Sequence, residues 1–263
     1  NTKFLHSIFT HDLSQSVIKP DLEFRLSLVL LNRPISKKLF EPLYKFARFV
    51  IWADGASNRL YDTYEGDEAF KPTHIVGDLD SARTDVVEYY RSKGTHTVKD
   101  SCQDNNDFEK SLNLLQDIID EYPPTEESKV QQREKVIVLF PFGGRMDHTL
   151  SSMHILSKRW NQNPMWSTDI DIVLMNECAT VPYLPAGENI IQPWTEIQSP
   201  KGWGLIPLSG KWDKIKTSGL KWNMGNSSEE ICELEFGGDM ISTSNEIAED
   251  EVAIENSHPL IWT

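Results

Sequence analysis

His74-Ile75-Val76-Gly77-Asp78-Leu79-Asp80-Ser81 is a short apolar run followed by two aspartates two residues apart. Its first four residues have strand length, and the glycine and acidic residues that follow read as the turn that ends a strand. The same texture recurs on both sides. Further strand candidates lie at Leu26–Leu31 (LSLVLL), Phe49–Ala53 (FVIWA), Thr95–Val98 and Val136–Phe140 (VIVLF). Between them stand amphipathic segments at 37–46, 85–92 (closed by Gly94), 107–119 and 146–160. This alternation predicts an α/β domain of Rossmann-like type, a parallel sheet with helices on both faces. Phe108, Leu112, Leu115 and Ile119 recur at helical spacing, as do Met146, Leu150, Met153, Leu156 and Trp160. Both stripes are expected to be core.

The texture changes near Asn163. From Ile170 onward come short β-rich segments (IDIVLM, TVPYL, GLIPL, KIKTSGLKW, ELEF, DMISTS, EVAIE) separated by Gly, Pro, Asn and Ser. They predict a second, all-β domain of sandwich or barrel type, giving two domains at 1–163 and 164–263. Residues 120–135 (DEYPPTEESKVQQREK) read as a solvated loop inside the first domain, because the alternating pattern resumes after them.

A chain of 263 residues with 39% hydrophobic content is long enough and apolar enough for a real core. Its net charge of −14 works against binding a nucleic-acid backbone or an anionic membrane. The first residues, NTKFLHSIFTHDLSQSVIKP, hold no apolar core of signal-peptide length, and no run approaches the ~20 residues that span a bilayer. The expectation is a soluble, cytoplasmic protein. Cys102, Cys178 and Cys232 are widely separated, without the paired spacing of a zinc site or an even disulfide count.

Ligands of open α/β sheets sit beyond the carboxyl ends of the strands. Acidic residues collect there: Asp54 follows FVIWA, Asp78 and Asp80 follow HIVG, Asp104 and Asp107 follow THTV, and Asp147 follows VIVLF and its glycine loop. A single aspartate at a helix start is commonly a cap or an Asx-turn. Converging carboxylates, by contrast, repel and raise one another's pKa unless a cation joins them. Mg²⁺ is the natural candidate, since it takes one or two carboxylates together with waters and phosphate oxygens.

The complementary element is PFGGRMDH, Pro141–His148. Gly143 and Gly144 let backbone N–H groups approach a phosphate, the helix start adds partial positive charge, and Arg145 can fork onto phosphate oxygens. Neither a G-x-x-x-x-G-K-[ST] loop nor a G-x-G-x-x-G fingerprint occurs, which disfavours P-loop kinases and dinucleotide-binding dehydrogenases. His148, one residue into the helix, reads as a packed or solvent-facing side chain rather than a general base. In the β-rich part, Trp222 and the polar run Ser242-Thr243-Ser244-Asn245 offer a stacking face and hydrogen bonds for an aromatic cation, although a lone Trp in a strand is usually core.

Nine short motifs in order resemble the thiamine pyrophosphokinase family, most closely its eukaryotic, fungal members. They are LLNRPI (Leu30–Ile35), ADGASNRLYD (Ala53–Asp62), GDLDS (Gly77–Ser81), QDNNDFEKSL (Gln103–Leu112), FGGRMDH (Phe142–His148), WGLIPL (Trp203–Leu208), SGLKWN (Ser218–Asn223), STSN (Ser242–Asn245) and HPLIWT (His258–Thr263). The resemblance implies pyrophosphoryl transfer from ATP to the hydroxyethyl arm of thiamine, giving thiamine diphosphate and AMP. It also implies a homodimer with active sites at the subunit interface. Carried over by position, it makes Asp78, Asp80 and Asp107 Mg²⁺ ligands. Asp54, Gly77, Gln103, Asn106, Gly143, Gly144, Arg145 and Asp147 then lie around the nucleotide and its phosphates, and Trp222, Ser242, Ser244 and Asn245 form the thiamine pocket.

Ala56 stands where the family usually has a second glycine, and Cys102 and Asn106 replace an Asp and a Thr. Two other readings remain. An aspartyl-phosphate phosphatase would need a Thr where Ala82 stands, and a thiamine- or nucleotide-binding sensor would keep the fold without turnover.

Overall fold

The computed structural model of the chain describes residues 3–8, 24–122, 133–162, 170–193, 202–208, 214–225, 233–238 and 240–263. The chain divides into two compact units, one of residues 16–155 with 168–177, the other of 1–15, 156–167 and 178–263.

The first unit is built on a parallel sheet. Its strands are β2 (Phe24–Leu30), β3 (Ala47–Ala53), β4 (His74–Gly77), β5 (His96–Lys99), β6 (Arg133–Leu139) and β7 (Ile170–Met175), in the order β7-β6-β2-β3-β4-β5. Leu26, Leu28, Val29 and Leu30 of β2 and Val136 to Leu139 of β6 are buried, as unbroken apolar runs must be in strands covered on both faces.

From β2 the chain steps outward through α1 (Lys37–Tyr44), α2 (Ala56–Tyr64) and α3 (Thr84–Ser92) to β5, and α4 (Asp107–Glu121) carries it back to β6. Right-handed crossovers then put α1 to α3 on one face and α4 on the other. There α4 packs across β2, β3 and β4 through Phe108, Leu112, Leu115 and Ile119, the stripe read from the sequence. The direction of winding reverses between β2 and β6, which opens a crevice at their carboxyl ends.

Three features depart from the sequence reading. Helix α2 was not foreseen, because ASNRLYDTY is short and mostly polar, with Ala56, Leu60 and Tyr64 its only buried apolar residues and Tyr61 half-buried beside them. IDIVLM, assigned to the β-rich domain, is the parallel strand β7 beside β6, so the division is not a single cut between 163 and 164. The stripe on α5 (Met146–Gln162) is not core at its start, where Met146 is 67% and Leu150 55% exposed. The covered face of α5 runs through Ser152, Ile155 and Leu156, rotated round the helix, and the small Ser152 lies against the chain at Pro141, its hydroxyl 3.4 Å from that carbonyl.

The second unit holds β1 (Lys3–Ile8), β8 (Thr180–Leu184), β9 (Gly187–Pro193), β10 (Trp203–Pro207), β11 (Ile215–Ser218), β12 (Ser242–Asn245), β13 (Val252–Asn256) and β14 (Leu260–Trp262). One of its layers has the order β1-β9-β13-β11 and the other β12-β10-β14-β8. Ile191, Ile215, Val252 and Ile254 from the first pack with Leu184, Trp203, Leu205, Leu260 and Trp262 from the second, forming the core of a sandwich. Strands β1, β9 and β14 were not foreseen, and ELEF forms no strand, contributing instead the buried Leu234. Most of the expected loop at 120–135, and Cys232, lie outside the described residues. Among the described residues no helix is long and apolar enough to cross a membrane.

Candidate active site

The aspartates of the opening motif meet a third across the sheet. Asp54 follows β3, is 1% exposed, and accepts the backbone N–H groups of Ser81 at 3.2 Å and Ala82 at 3.0 Å. Gly77 makes the approach possible, since a Cβ on it would lie 2.7 Å from the Cβ of Asp54. Leu79 adopts a left-handed φ of 65° between the two aspartates, and the Asp80 N–H donates to Asp78 Oδ1 at 3.3 Å. HIVGDLDS is therefore both a polar turn and a carboxylate pair, the turn holding the pair. Carboxylate oxygens of Asp54, Asp78 and Asp80 lie within 4.8 Å of one another.

Asp107 begins α4, and Lys110, one turn further and 3% exposed, places Nζ 3.7 Å from Asp107 Oδ1 and 4.0 Å from Asp78 Oδ2. Gln103 Nε2 donates to the Ser101 carbonyl at 3.4 Å in the loop before α4, and, with the Asp80 N–H, its side chain helps hold the Asp78 carboxyl low. Burial pushes the Asp54 carboxyl up to about 6; the charges of Asp107 and Asp80 add to this and the amides of Ser81 and Ala82 oppose it. Burial also raises Asp107, with Lys110 opposing, whereas the Asp80 N–H holds Asp78 below the usual carboxylate range.

Three hard oxygen donors in one cluster, the buried one lifted in pKa, fit a divalent hard cation such as Mg²⁺. The geometry adds Asp54 to the pair Asp78 and Asp80 and sets Asp107 beside Lys110. Lys110 was missed in the sequence, although its place three residues after Asp107 puts both side chains on one helix face.

The glycine loop follows β6. Phe140, Gly143 and Gly144 have φ values of 62°, 92° and 68°, and a Cβ on Gly143 would meet nothing within 4 Å. Arg145 forks onto Asp147, Nε to Oδ1 at 3.0 Å and Nη2 to Oδ2 at 2.5 Å, and both side chains are exposed. His148 is exposed beside them. Asp54, Leu79 and Phe140, which close β3, β4 and β6, are all non-glycine residues at positive φ. Such conformations cost about 1–3 kcal/mol each and concentrate at functional sites.

Two residues that depart from the expected motif find structural explanations. Asn106 is the N-cap of α4, accepting the Glu109 N–H at 3.0 Å while its amide donates to Ser151 Oγ at 2.9 Å. Ala56 is the first residue of α2 and is 1% exposed, so its methyl points into packed protein.

In the second unit, Trp222 is 54% exposed in the turn after β11, with the Lys221 ammonium 4.5 Å from its ring centroid. Asn245 is buried, and both ends of its amide bond to backbone. Oδ1 accepts the N–H groups of Trp222 at 3.2 Å and Glu246 at 2.9 Å, and Nδ2 donates to the Trp222 carbonyl at 2.8 Å. The side chain thus fixes the Trp222 backbone. Ser244, beside it in β12, is exposed at a φ of 60°, and Ser242 is half-buried two residues earlier.

Carboxylates and a glycine loop on either side of a switch point define a phosphate-handling protein of the α/β class. The model of the catalytic domain of thiamin pyrophosphokinase matches residues 40–166, and the model of its vitamin B1 binding domain matches 190–261. The chain is 31% identical to thiamine pyrophosphokinase 1 of Arabidopsis thaliana, covering 91% of this chain and 85% of that protein. It is 27% identical to the thiamine pyrophosphokinase of Saccharomyces cerevisiae, covering 81% and 77% respectively. The solved thiamin pyrophosphokinase of Candida albicans, 24% identical, shares the fold with a TM-score of 0.78 over 99% of this chain and 92% of that one. This chain belongs to the thiamin pyrophosphokinase family.

Proposed function

We propose that the chain transfers the terminal pyrophosphoryl group of Mg-ATP to the hydroxyethyl oxygen of thiamine. A bond forms between that oxygen and the β-phosphorus, the bond from the β-phosphorus to the oxygen bridging it to the α-phosphorus breaks, and AMP leaves as thiamine diphosphate forms. The observation that carries this reading is the clustering of Asp54, Asp78 and Asp80 at the carboxyl end of the sheet that also bears the glycine loop.

Asp54, Asp78 and Asp80 would hold Mg²⁺, which when bound neutralises phosphate charge. Asp107 and Lys110 border that group, and Gln103 favours the charged form of Asp78. The open backbone of Gly143 offers N–H groups to phosphate oxygens, and Arg145 supplies a guanidinium at the helix start. Trp222 offers an indole face to thiamine, with Ser242 and Ser244 on the strand whose Asn245 holds the tryptophan in place. Phosphoryl transfer with a loose transition state depends mostly on positioning, so no general base is required by this arrangement.

The reading includes a homodimer with active sites at the subunit interface, supported by Met146 and Leu150, apolar and exposed beside Arg145 and Asp147. It also includes a cytoplasmic setting, which suits the free, exposed thiol of Cys102. The test is incubation with ATP and Mg²⁺, with and without thiamine, and chromatography of the products. Equimolar AMP and thiamine diphosphate, formed only with thiamine present, is the expected result. Thiamine binding without product would indicate a sensor, and phosphate release without thiamine a hydrolase.

A further inference from the structure

We propose that Arg33 is a phosphate-binding residue, gripping the nucleotide's triphosphate from the β2 side of the crevice; the proposal rests on the reading of this site as one for ATP. Strand β2 lies between β3 and β6, so the segment leaving it emerges between the carboxylates and the glycine loop. The Leu31 N–H donates to the Leu139 carbonyl at 3.3 Å, and the segment therefore starts alongside the end of β6.

Arg33 then leans on the glycine loop itself. A Cβ built on Gly144 would lie 2.0 Å from Arg33 Nη1 and 3.0 Å from Cζ, so Gly144, at a φ of +68°, is the residue that leaves the guanidinium room. On the other side, the neighbouring Asn32 accepts from Arg59 Nε at 3.3 Å. A Cβ on Gly55 would lie 2.5 Å from Asn32 Nδ2, so Asn32 is wedged against the turn that carries Asp54. The pair Asn32-Arg33 thus spans from the carboxylate side to the phosphate side of one crevice.

What singles out Arg33 is an unmet hydrogen-bonding demand. Its Nη2 is buried without a hydrogen-bond partner, and among the described residues no carboxylate pairs with it. A buried, unsatisfied charged donor is costly, and such groups in folded proteins call for a ligand or a functional reason. Arg145 differs: Asp147 already occupies its fork. Of the two guanidiniums at the glycine loop, Arg33 is the one whose donors are free, and a guanidinium fork matches phosphate oxygens. The neighbouring carboxylates repel a bare anion, which favours one that arrives with its metal, as a nucleotide triphosphate does.

The test is titration calorimetry of the full chain with Mg²⁺ and a non-hydrolysable ATP analogue, for the wild type, Arg33→Gln and Arg33→Lys, with thiamine titrated separately. Melting is followed with and without the analogue. Arg33→Gln should weaken analogue binding by about tenfold to a hundredfold, the range for loss of a charged hydrogen bond. Arg33→Lys should fall between it and the wild type. Thiamine affinity should be unchanged, and without the analogue Arg33→Gln should melt no lower than the wild type, because the donor it removes is unpaired.

Equal analogue affinity in wild type and Arg33→Gln would overturn the proposal, as would a ligand-free loss of stability with analogue affinity retained. Arg33→Lys keeps length and charge and decides the matter if the Gln variant does not fold: wild-type affinity in it contradicts a forked contact. A wild-type protein that fails to bind the analogue at all would instead overturn the ATP reading, and this proposal with it.

Discussion

At the scale of single residues, the β unit divides labour between two residues that lie 23 positions apart in the sequence and meet in the fold. Trp222 presents an exposed ring, whereas Asn245 makes three hydrogen bonds to the backbone around that ring. Stacking and cation–π attraction are worth ~1–2 kcal/mol, so Trp222→Ala should raise the KM for thiamine about five- to thirtyfold and leave that for ATP unchanged. Asn245→Ala should raise the thiamine KM too, but with a lower melting temperature, because three part-buried hydrogen bonds are lost with it. Unchanged thiamine KM in both variants would remove this surface from substrate binding. Residue types and spacing made Asp78, Asp80, Arg145 and Trp222 legible in the sequence, since each carries chemistry that its position at a strand end or turn exposes. Lys110 and Arg33 were not legible, because a lysine in a helix and an arginine after a strand are ordinary until burial shows what they touch.

At the scale of elements, β4 and β5 meet through two histidines as well as through their ladder. The rings of His74 and His96 stack at a centroid distance of 5.1 Å, and burial together with the charge of His96 lowers His74 from 6.5 to about 4. The folded state therefore favours neutral His74. Its contribution to stability is complete above the unfolded pKa of 6.5 and declines as pH falls from there toward about 4. Asp54, raised to about 6, has the opposite slope over part of that window, so a variant must be compared with wild type at each pH. His74→Gln should melt progressively closer to, or above, wild type as pH falls from 7 to about 4.5. A pH-independent difference in melting temperature would contradict the assignment. Most strands and helices of this unit were readable, because its central strands are buried and largely apolar. Helix α2 was not, because a short, mostly polar helix gives little periodic signal.

At the scale of the whole molecule, the order of motifs carried the family, but the chain's partition into units was not readable from texture. Residues 170–175 have the same short apolar composition as the sandwich strands, and only their parallel pairing with β6 assigns them to the first unit. Residues 3–8 pair with β9, a contact between positions far apart in sequence that no local pattern signals. The winding of the sheet is what gathers Asp54 from β3, Asp78 and Asp80 from β4, and the glycine loop from β6 at one end. The most direct test of that gathering as a catalytic centre is thiamine diphosphate formation by Asp78→Asn and wild type, side by side, over a series of Mg²⁺ concentrations. Turnover that needs Mg²⁺ in the wild type and is lost in an Asp78→Asn protein of unchanged melting temperature is the predicted result. Near-normal turnover in Asp78→Asn, or product formed without a divalent cation, would contradict it.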